Sequence, residues 1–458
     1  MGDALQPDSA ALHADDVTAL PDRFAFLYVD LNSFFASVEQ HLHPEYRGRP
    51  VAVVPTTADT TCCIAASYEA KALGIKTGMQ VGEAKRICPE IVLVMGEHGV
   101  YADYSRRIVA AVERCCPVSH TPSIDEMVCE LMGREREPPR ARAIALAVKQ
   151  AIKDDVGETL RCSIGLAPNR FLAKIASDMQ KPDGLIGLLP SQLPRAIAHL
   201  ELKDIPGVGA RTEARLNAKG ICTMAQLLAL DRSQMHTLWD SVWGDRLYHW
   251  LRGAETDDDG AAVAGEAQKS LGHSHVMGPE YRTPEGAWAV AHKLLHKAAM
   301  RLRMEKLYAG SMSVMIRYAL TQDQVSERQV VGKGAKRHFS GLQHSGWAME
   351  ARFPPCQDTL TLLEALRGMW SKQPVGAEFA RPFHVAVTMH RLIPESEMQV
   401  SLFGDVNNRA ELAATMDRVN MKYGNTTLHF AGMLPAKDSA PTRISFTQIP
   451  VQYGVDYI

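Results

Sequence analysis

No run of about 18 consecutive apolar residues occurs in the 458-residue chain, so nothing in it reads as a membrane-spanning helix. A basic segment followed by an apolar one is also missing from the first residues. Residues 1–22 are polar and acidic, and the expectation for them is a disordered leader, not a secretion signal. Cysteine in metal-binding or disulfide-framework spacing is lacking too. The nine cysteines are odd in number, and the adjacent pairs Cys62-Cys63 and Cys115-Cys116 suit neither a C-x-x-C knuckle nor a small cross-linked scaffold. Reduced, mostly buried thiols in a cytoplasmic protein are the expectation. An excess of basic charge is absent as well, since 50 Lys and Arg against 52 Asp and Glu leave a formal charge of −2. That balance excludes neither a metabolic enzyme nor a nucleic-acid binder, because binding responds to the field near a groove and not to the chain total.

What is present is a globular composition, 46% hydrophobic and 22% charged, in a chain long enough for two to four domains. The apolar run Phe24–Val29 ending in Asp30 predicts a buried strand with a carboxylate at its C-terminal end, and Asn32 or Ser33 then caps a helix through Phe34, Phe35, Val38 and Glu39. A second helix is predicted over Ser67–Leu73, stopping at Gly74. From Tyr101 the pattern reads helix (Tyr101–Arg114), two strands joined at the Ser123–Glu126 turn, the second leaving it as Met127–Leu131, helix (Arg142–Asp155, with Ile144, Val148, Ala151 and Ile152 on one face), and strand (Cys162–Leu166). Together with the first strand this is a ferredoxin-like β-α-β-β-α-β order interrupted by an insertion. Residues 191–258 read as small helices ending in the acidic linker Thr256–Gly260. A second β-α-β-β-α-β pattern follows. Its first helix opens at Thr283-Pro284 and carries Trp288, Ala291, Leu295, Ala298 and Leu302 on one face, and its strands alternate through Val314, Ile316 and Tyr318 and through Phe383, Val385, Val387 and Met389. The residues after about 395 are expected to fold only partly by themselves.

Asp30 at one strand end and Asp125-Glu126 at the turn into another can be neighbours in such a sheet, gathering three carboxylates at one place. Oxygen-rich sites of that kind suit Mg²⁺ or Mn²⁺, and two such ions can activate a hydroxyl and stabilise a leaving pyrophosphate. The plainer alternative makes Asp30 a helix cap and Asp125-Glu126 solvated turn residues.

The strings around these carboxylates carry a resemblance. Val29-Asp30-Leu31-Asn32-Ser33-Phe34-Phe35-Ala36-Ser37-Val38-Glu39, Ser123-Ile124-Asp125-Glu126, Ala66–Lys71, Gly165–Lys174 and Ser177–Gly184 resemble, in order, the motifs of Y-family DNA polymerases, and the likeness runs from about residue 23 to 403. It implies an α+β, multidomain right-hand polymerase: a palm over 23–190 with inserted fingers at about 33–98, a thumb with a helix-hairpin-helix over 191–258, a little finger over 268–394, and a tail over 395–458. Carried over by position, Asp30 and Asp125 bind two Mg²⁺ ions (Mn²⁺ as a substitute) with the Leu31 carbonyl, and Glu126 attends the metal beside the primer 3′-hydroxyl. Phe35, next to Phe34, matches the steric gate against a ribose 2′-hydroxyl, and Tyr68, Lys71 and Lys181 match positions holding the incoming triphosphate. Without the motif, Phe35 reads as a core aromatic and each lysine as a solvated charge.

This chain departs from the family at Lys71, where many relatives carry arginine and its bidentate fork, at Ala65, where a hydroxyl residue is common, and at Asn32, which replaces a second aspartate. Asn32-Ser33 and Tyr101-Ala102-Asp103 look like the polymerase V subgroup and Lys181-Pro182-Asp183-Gly184 like polymerase IV, so both subgroups stay open.

Ile205-Pro206-Gly207-Val208-Gly209 followed by Arg211 reads as a helix-hairpin-helix turn that can meet a DNA phosphate, or else as an ordinary interhelical turn. Lys269, His273, Lys297, Arg301, Arg303 and Arg317, with Lys333, Lys336 and Arg337 in a loop, form the cluster expected to track the DNA backbone. Gln399-Val400-Ser401-Leu402-Phe403 resembles the short motif that docks bacterial polymerases on the sliding clamp, with Gln399 at a pocket rim and Leu402 and Phe403 inside. The expected partners are therefore primer-template DNA, dNTPs, the clamp and a further damage-response polymerase subunit, with no membrane. The expected activity is templated extension of a primer across damaged bases. A catalytically silent DNA- and clamp-binding relative is the alternative, disfavoured by the intact acidic triad. A palm-type nucleotide cyclase is disfavoured by the helix-hairpin-helix and clamp-like motifs.

Overall fold

The structure, a computed structural model, describes residues 22–254 except 58 and 60, 269–324 except 322, 336–337, 343–398 except 375, 377 and 378, 409–437 except 425 and 426, and 439, 452–453 and 456–457. The chain divides near residue 264 into two compact units. Among the described residues no helix is long and apolar enough to cross a membrane.

In the first unit, β1 (Phe26–Leu31) runs into α1 (Phe34–Leu42). A small insertion follows: β2 (Val51–Val54), β3 (Ala65–Ala66), α2 (Tyr68–Ala72), α3 (Val81–Ile87) and β4 (Val92–Met95). Its three-stranded sheet, ordered β3-β2-β4, closes over its own core of Ala52, Val54, Cys63, Ala70, Ile75 and Val81. The chain continues through α4 (His98–Glu113), β5 (Val118–Ser123), β6 (Glu126–Glu130), α5 (Pro138–Asp155), β7 (Cys162–Ala167), α6 (Arg170–Met179) and β8 (Leu185–Gly187). The main sheet has the order β5-β6-β1-β7-β8. Its first four strands are antiparallel neighbours and β8 adds in parallel, so the predicted ferredoxin-like arrangement is present with one extra strand. With strands on both sides, β1 is buried over all but its first residue, which explains its unbroken apolar run.

Two local readings are corrected. Helix α5 starts at Pro138, four residues earlier than Arg142, and its buried stripe is Ala141, Ala145, Val148 and Ile152, so Ile144 and Ala151 are only half-buried. Ser33 holds the N-cap position of α1, but in a left-handed conformation (φ 50) and with no capping hydrogen bond from its side chain.

Among the described residues, four short α-helices follow in this unit: α7 (Ala210–Ala218), α8 (Met224–Leu228), α9 (Arg232–Trp239) and α10 (Val242–Trp250). They share one apolar core with α6 and the sheet, through residues such as Leu172, Ile175, Leu202, Leu216, Leu227 and Leu247. Helix α6 lies so close on β7 that a Cβ on Gly165 would stand 2.0 Å from the Ala173 carbonyl oxygen. That glycine therefore sets the height of α6, and with it of Lys174, above the sheet.

The second unit contains β9 (Ser270–Val276), α11 (Pro284–Met304, capped by the Thr283 hydroxyl), β10 (Leu307–Ala319), β11 (Lys336–Arg337), β12 (Gln343–Cys356), the helix Thr359–Trp370 and β13 (Pro382–Pro394). The β-α-β-β-α-β sequence is as expected, but the sheet order β11-β12-β10-β13-β9 is not the ferredoxin one. Here the second and fourth strands of the pattern, β10 and β13, are central and the first, β9, lies at an edge. Both orders let each helix cross over a single strand, so the chain pattern by itself does not choose between them. One face of the sheet packs on α11 through Val314, Ile316, Val385, Val387 and Met389.

The helix Arg409–Tyr423 and the turn Ala431–Ala436 pack on α11 and on Thr359–Trp370. Arg303, expected among the DNA-facing cations, is turned inward: its guanidinium donates to Asp417 at 2.6 and 2.8 Å and to the Gln357 carbonyl at 2.7 Å. The Lys293 ammonium likewise donates to the backbone carbonyls of Lys437 and Ser439.

Candidate active site

Antiparallel register brings Asp30 of β1 directly opposite Glu126 of β6, so both carboxylates leave the sheet on one face. Asp125, at the turn between β5 and β6, accepts the Leu31 N–H on its carbonyl at 2.9 Å, which ties that turn to the end of β1. Asp30 is 6% exposed. Its two oxygens lie 2.5 Å from the Lys174 ammonium and 2.7 Å from that of Lys181. Lys174 also reaches Glu126 Oε1 at 2.7 Å, and Asp178 stands behind both lysines, 3.3 Å from Lys174 and 2.7 Å from Lys181. The Ser123 hydroxyl lies 2.6 Å from Asp125 Oδ1 and 2.8 Å from Glu126 Oε2, joining the remaining carboxylate to the group.

The electrostatics follow this packing. Burial pushes the Asp125 carboxyl above the usual carboxylate range, the Asp30 and Glu126 charges add to the rise, and the Ser123 hydroxyl opposes it. Burial would lower Lys174, but the surrounding Asp30, Glu126 and Asp178 carboxylates outweigh it and hold the ammonium above its ordinary value. Lys181 is also raised, with burial again opposing and Asp30 first among the supporting charges. Tyr28, beside Glu126 and beneath Lys174, is pushed up chiefly by burial.

One side of this cluster is lined by α1 and α2. Phe34 and Phe35 are buried, and the Phe35 ring stacks on Tyr101 at 4.3 Å with 13° between planes. The Tyr101 hydroxyl donates to Glu39 Oε1 at 2.5 Å. Burial raises the Glu39 carboxyl, with the Tyr101 bond pulling the other way. On α2, capped by the Ser67 hydroxyl, Lys71 donates to Ser33 Oγ at 2.7 Å and lies 4.5 Å over the Tyr68 ring. Partial burial lifts Tyr68, and partial burial with the Lys181 charge lowers Lys71, while the Asp30 charge is felt at both. Asn32, singled out as a departure, bridges β1 to the loop of Lys181: its amide donates to Ser163 Oγ at 3.1 Å and its oxygen accepts the Asp183 N–H at 2.7 Å.

The glycine turn before α7 faces a cavity of about 630 Å³ lined by Lys174, Asp178, Lys203, Pro206, Gly207 and Gly209. Gly207 has φ +87, whereas Gly209 has ordinary extended geometry, so only the first glycine is demanded by the backbone. Arg211 is exposed in the first turn of α7. In the second unit Arg317 alternates with the buried Ile316 and Tyr318 and so lies on the sheet face away from α11, and Lys269 is exposed just before β9. His273, counted among the cations, is neutral at neutral pH, because burial and the charges of Lys297 and Arg301 press its imidazole down to about 3. The side chains of Lys333, Lys336 and Arg337, and all of Gln399–Phe403 with Leu402, lie outside the described residues.

The structure thus brings together Asp30, Glu126, Lys181, Tyr68 and Lys71, with Asp125 joined through Ser123. Sequence reasoning missed Lys174, Asp178, Ser123, Tyr101 and Glu39 as members. The available signals were the Lys174-Asp178 spacing of four on a helix and the placement of Glu39 one turn after Phe35.

Among the described residues no group of three His, Cys, Asp or Glu side chains is gathered as a ready metal cage. The donors nevertheless suit a hard divalent cation: two carboxylates from adjacent strands already converge on a positive charge, the Lys174 ammonium.

Comparison with known proteins follows the same lines. Residues 29–178 match the profile of the impB/mucB/samB family, and residues 268–402 match the C-terminal domain of that family. The chain is 31% identical over 411 residues to the DNA polymerase IV of Moorella thermoacetica, covering 89% of this chain and 95% of that one. It is 33% identical over 296 residues to DNA polymerase IV 1 of Bacillus subtilis, covering 64% of this chain and 70% of that one. Its fold is shared with a Y-family DNA polymerase chimera (TM-score 0.64, 22% identity, 81% of this chain and 99% of the other). An insertion ternary complex of the Dbh DNA polymerase gives a TM-score of 0.53 at 21% identity over the same shares.

Proposed function

Given that the chain belongs to the impB/mucB/samB family, the Y-family DNA polymerases, and is a DNA-directed DNA polymerase of the translesion kind, we propose that Asp30, Asp125 and Glu126 form its catalytic metal site. The observation that carries this reading is the convergence of Asp30 and Glu126 from paired strands on one cationic point, with Asp125 one hydroxyl away. Mg²⁺ would be held there by the three carboxylates and the Leu31 carbonyl, with Mn²⁺ as a substitute. When bound, the metal pair would activate the primer 3′-hydroxyl and neutralise the leaving pyrophosphate.

The remaining groups orient the substrates. Lys181, Lys71 and Tyr68 surround the carboxylates on the α2 side and would hold the triphosphate of an incoming dNTP, Lys71 as a point charge where an arginine fork would bind in two places. Phe35, braced by Tyr101 and adjoining Phe34, would close the space beneath the sugar. In this reading the sheet of β1, β5, β6 and β7 is the palm, the β2-β3-β4 insertion the fingers, α7–α10 the thumb, and the second unit the little finger. The turn of Gly207 and Gly209 with Arg211 would meet a DNA phosphate, and Lys269 and Arg317 would follow the duplex on the open sheet face. Gln399, Leu402 and Phe403 would dock on a sliding clamp, and the protein would act in the cytoplasm.

Primer extension with Mg²⁺ and dNTPs tests the site. Templated extension by the native chain that disappears in Asp125→Ala/Glu126→Ala is the expected result. Extension that survives the double substitution would refute this metal site.

A further inference from the structure

Among the described residues of the first unit, Lys174 is the one cation whose ammonium touches both facing carboxylates, Asp30 at 2.5 Å and Glu126 at 2.7 Å. It also has a second anionic partner ready on its own helix, Asp178, one turn on and 3.3 Å away. Asp178 is less buried than Asp30, and Lys181 already shares it. An ammonium placed between two carboxylates offsets the repulsion of burying them together. The same placement makes it compete for the oxygens a divalent ion would use, and a divalent ion, with twice the charge, wins when it arrives.

We propose that Lys174 is a built-in counter-ion of the metal site, bridging Asp30 and Glu126 in the metal-free protein and passing to Asp178 when metal binds. This rests on the metal-site reading above. Lys174 is then a positioning residue that acts through the carboxylates: it keeps Asp30 and Glu126 converged before metal arrives, and Asp178 lowers the cost of its departure. Lys181 does not share the role, because it reaches Asp30 and Asp178 but not Glu126.

The test uses the full chain without DNA or dNTP and titrates Mn²⁺, counting the free ion by its electron paramagnetic resonance signal. Lys174→Met is expected to bind about tenfold more tightly than the native chain, because the competing charge is gone. Lys174→Gln, which keeps a polar side chain should the methionine variant fail to fold, is expected to move the same way. Asp178→Asn is expected to weaken binding, and to weaken it more in the native background than beside Lys174→Met. Asp30→Asn serves as the control. If Asp30→Asn abolishes binding while both Lys174 variants keep native affinity, or if Asp178→Asn weakens binding equally in both backgrounds, the counter-ion role is refuted and the metal site stands. If Asp30→Asn binds Mn²⁺ like the native chain, the metal-site reading fails and this inference fails with it.

Discussion

Single side chains in this protein are held by bonds that a sequence motif does not display. The Tyr101 hydroxyl satisfies a buried Glu39 carboxylate at 2.5 Å while its ring supports Phe35 at 4.3 Å. Removing only the hydroxyl separates the two duties. Tyr101→Phe leaves a buried carboxylate without its donor and is expected to cost about 1–3 kcal/mol, read by urea unfolding, while retaining the stack under Phe35. The raised Glu39 carboxyl adds a pH signature. Its folded value lies above the unfolded one, so the folded state holds the proton more firmly, and the group's contribution becomes less favourable as pH rises through that window. Tyr101→Phe should steepen that fall, because the bond being lost favours the charged form. Phe35→Val is expected to raise ribonucleotide incorporation relative to dNTP incorporation, measured as a ratio of kcat/KM values. An unchanged ratio would remove Phe35 from beneath the sugar.

At the scale of elements, close approach and turn geometry decide what the site can be. Helix α6 carries Lys174 and Asp178, and its distance from β7 is permitted by Gly165. Gly165→Ala should force the helix outward and lower both stability and primer extension, whereas Gly209→Ala should do little to stability because nothing lies within 4 Å of its added methyl. Gly207→Ala is expected to cost about 1–2 kcal/mol for the left-handed backbone alone, visible as a lower thermal midpoint. The loop bearing Lys181 depends on Asn32, whose side chain both donates and accepts. A carboxylate at that position would keep the acceptor for Asp183 and lose the donor to Ser163. The asparagine is therefore a coherent local choice, and no vestige of an acidic metal ligand need be invoked to explain it.

For the whole chain, the second unit is closed by its own tail. The Arg303–Asp417 pair is largely buried on both sides, its side chains 11% and 12% exposed, so Arg303→Met alone should destabilise this unit by about 3–5 kcal/mol, and Arg303→Met with Asp417→Leu by much less, in calorimetry of the full chain. Among the described residues of this unit, His273, His292 and His296 are pressed below their ordinary value mainly by burial, to about 3, about 4 and about 3. A depressed folded value means that their contribution is fully present above the unfolded value of 6.5 and is lost as pH falls toward 4. The thermal transition of this unit should therefore drop between pH 7 and pH 5, and His292→Phe with His296→Phe should flatten that drop. The sequence by itself determined those elements with strong local signals, because periodicity such as that of Arg142–Asp155 and a cap such as Thr283 are short-range features that survive in any context. It also singled out Asp30, Asp125 and Glu126 as candidates, because the motifs around Asp30 and Asp125-Glu126 are contiguous. Only the tertiary structure decided the order of strands in the second sheet, since either order lets each helix cross over a single strand. It alone turned Arg303 inward and His273 neutral, because exposure depends on which segment, here the tail and α11, packs above a position. It alone placed Lys174 between Asp30 and Glu126, because a contact across 144 residues of chain is set by the packing of α6 on β7 and has no local signal in the order of the residues.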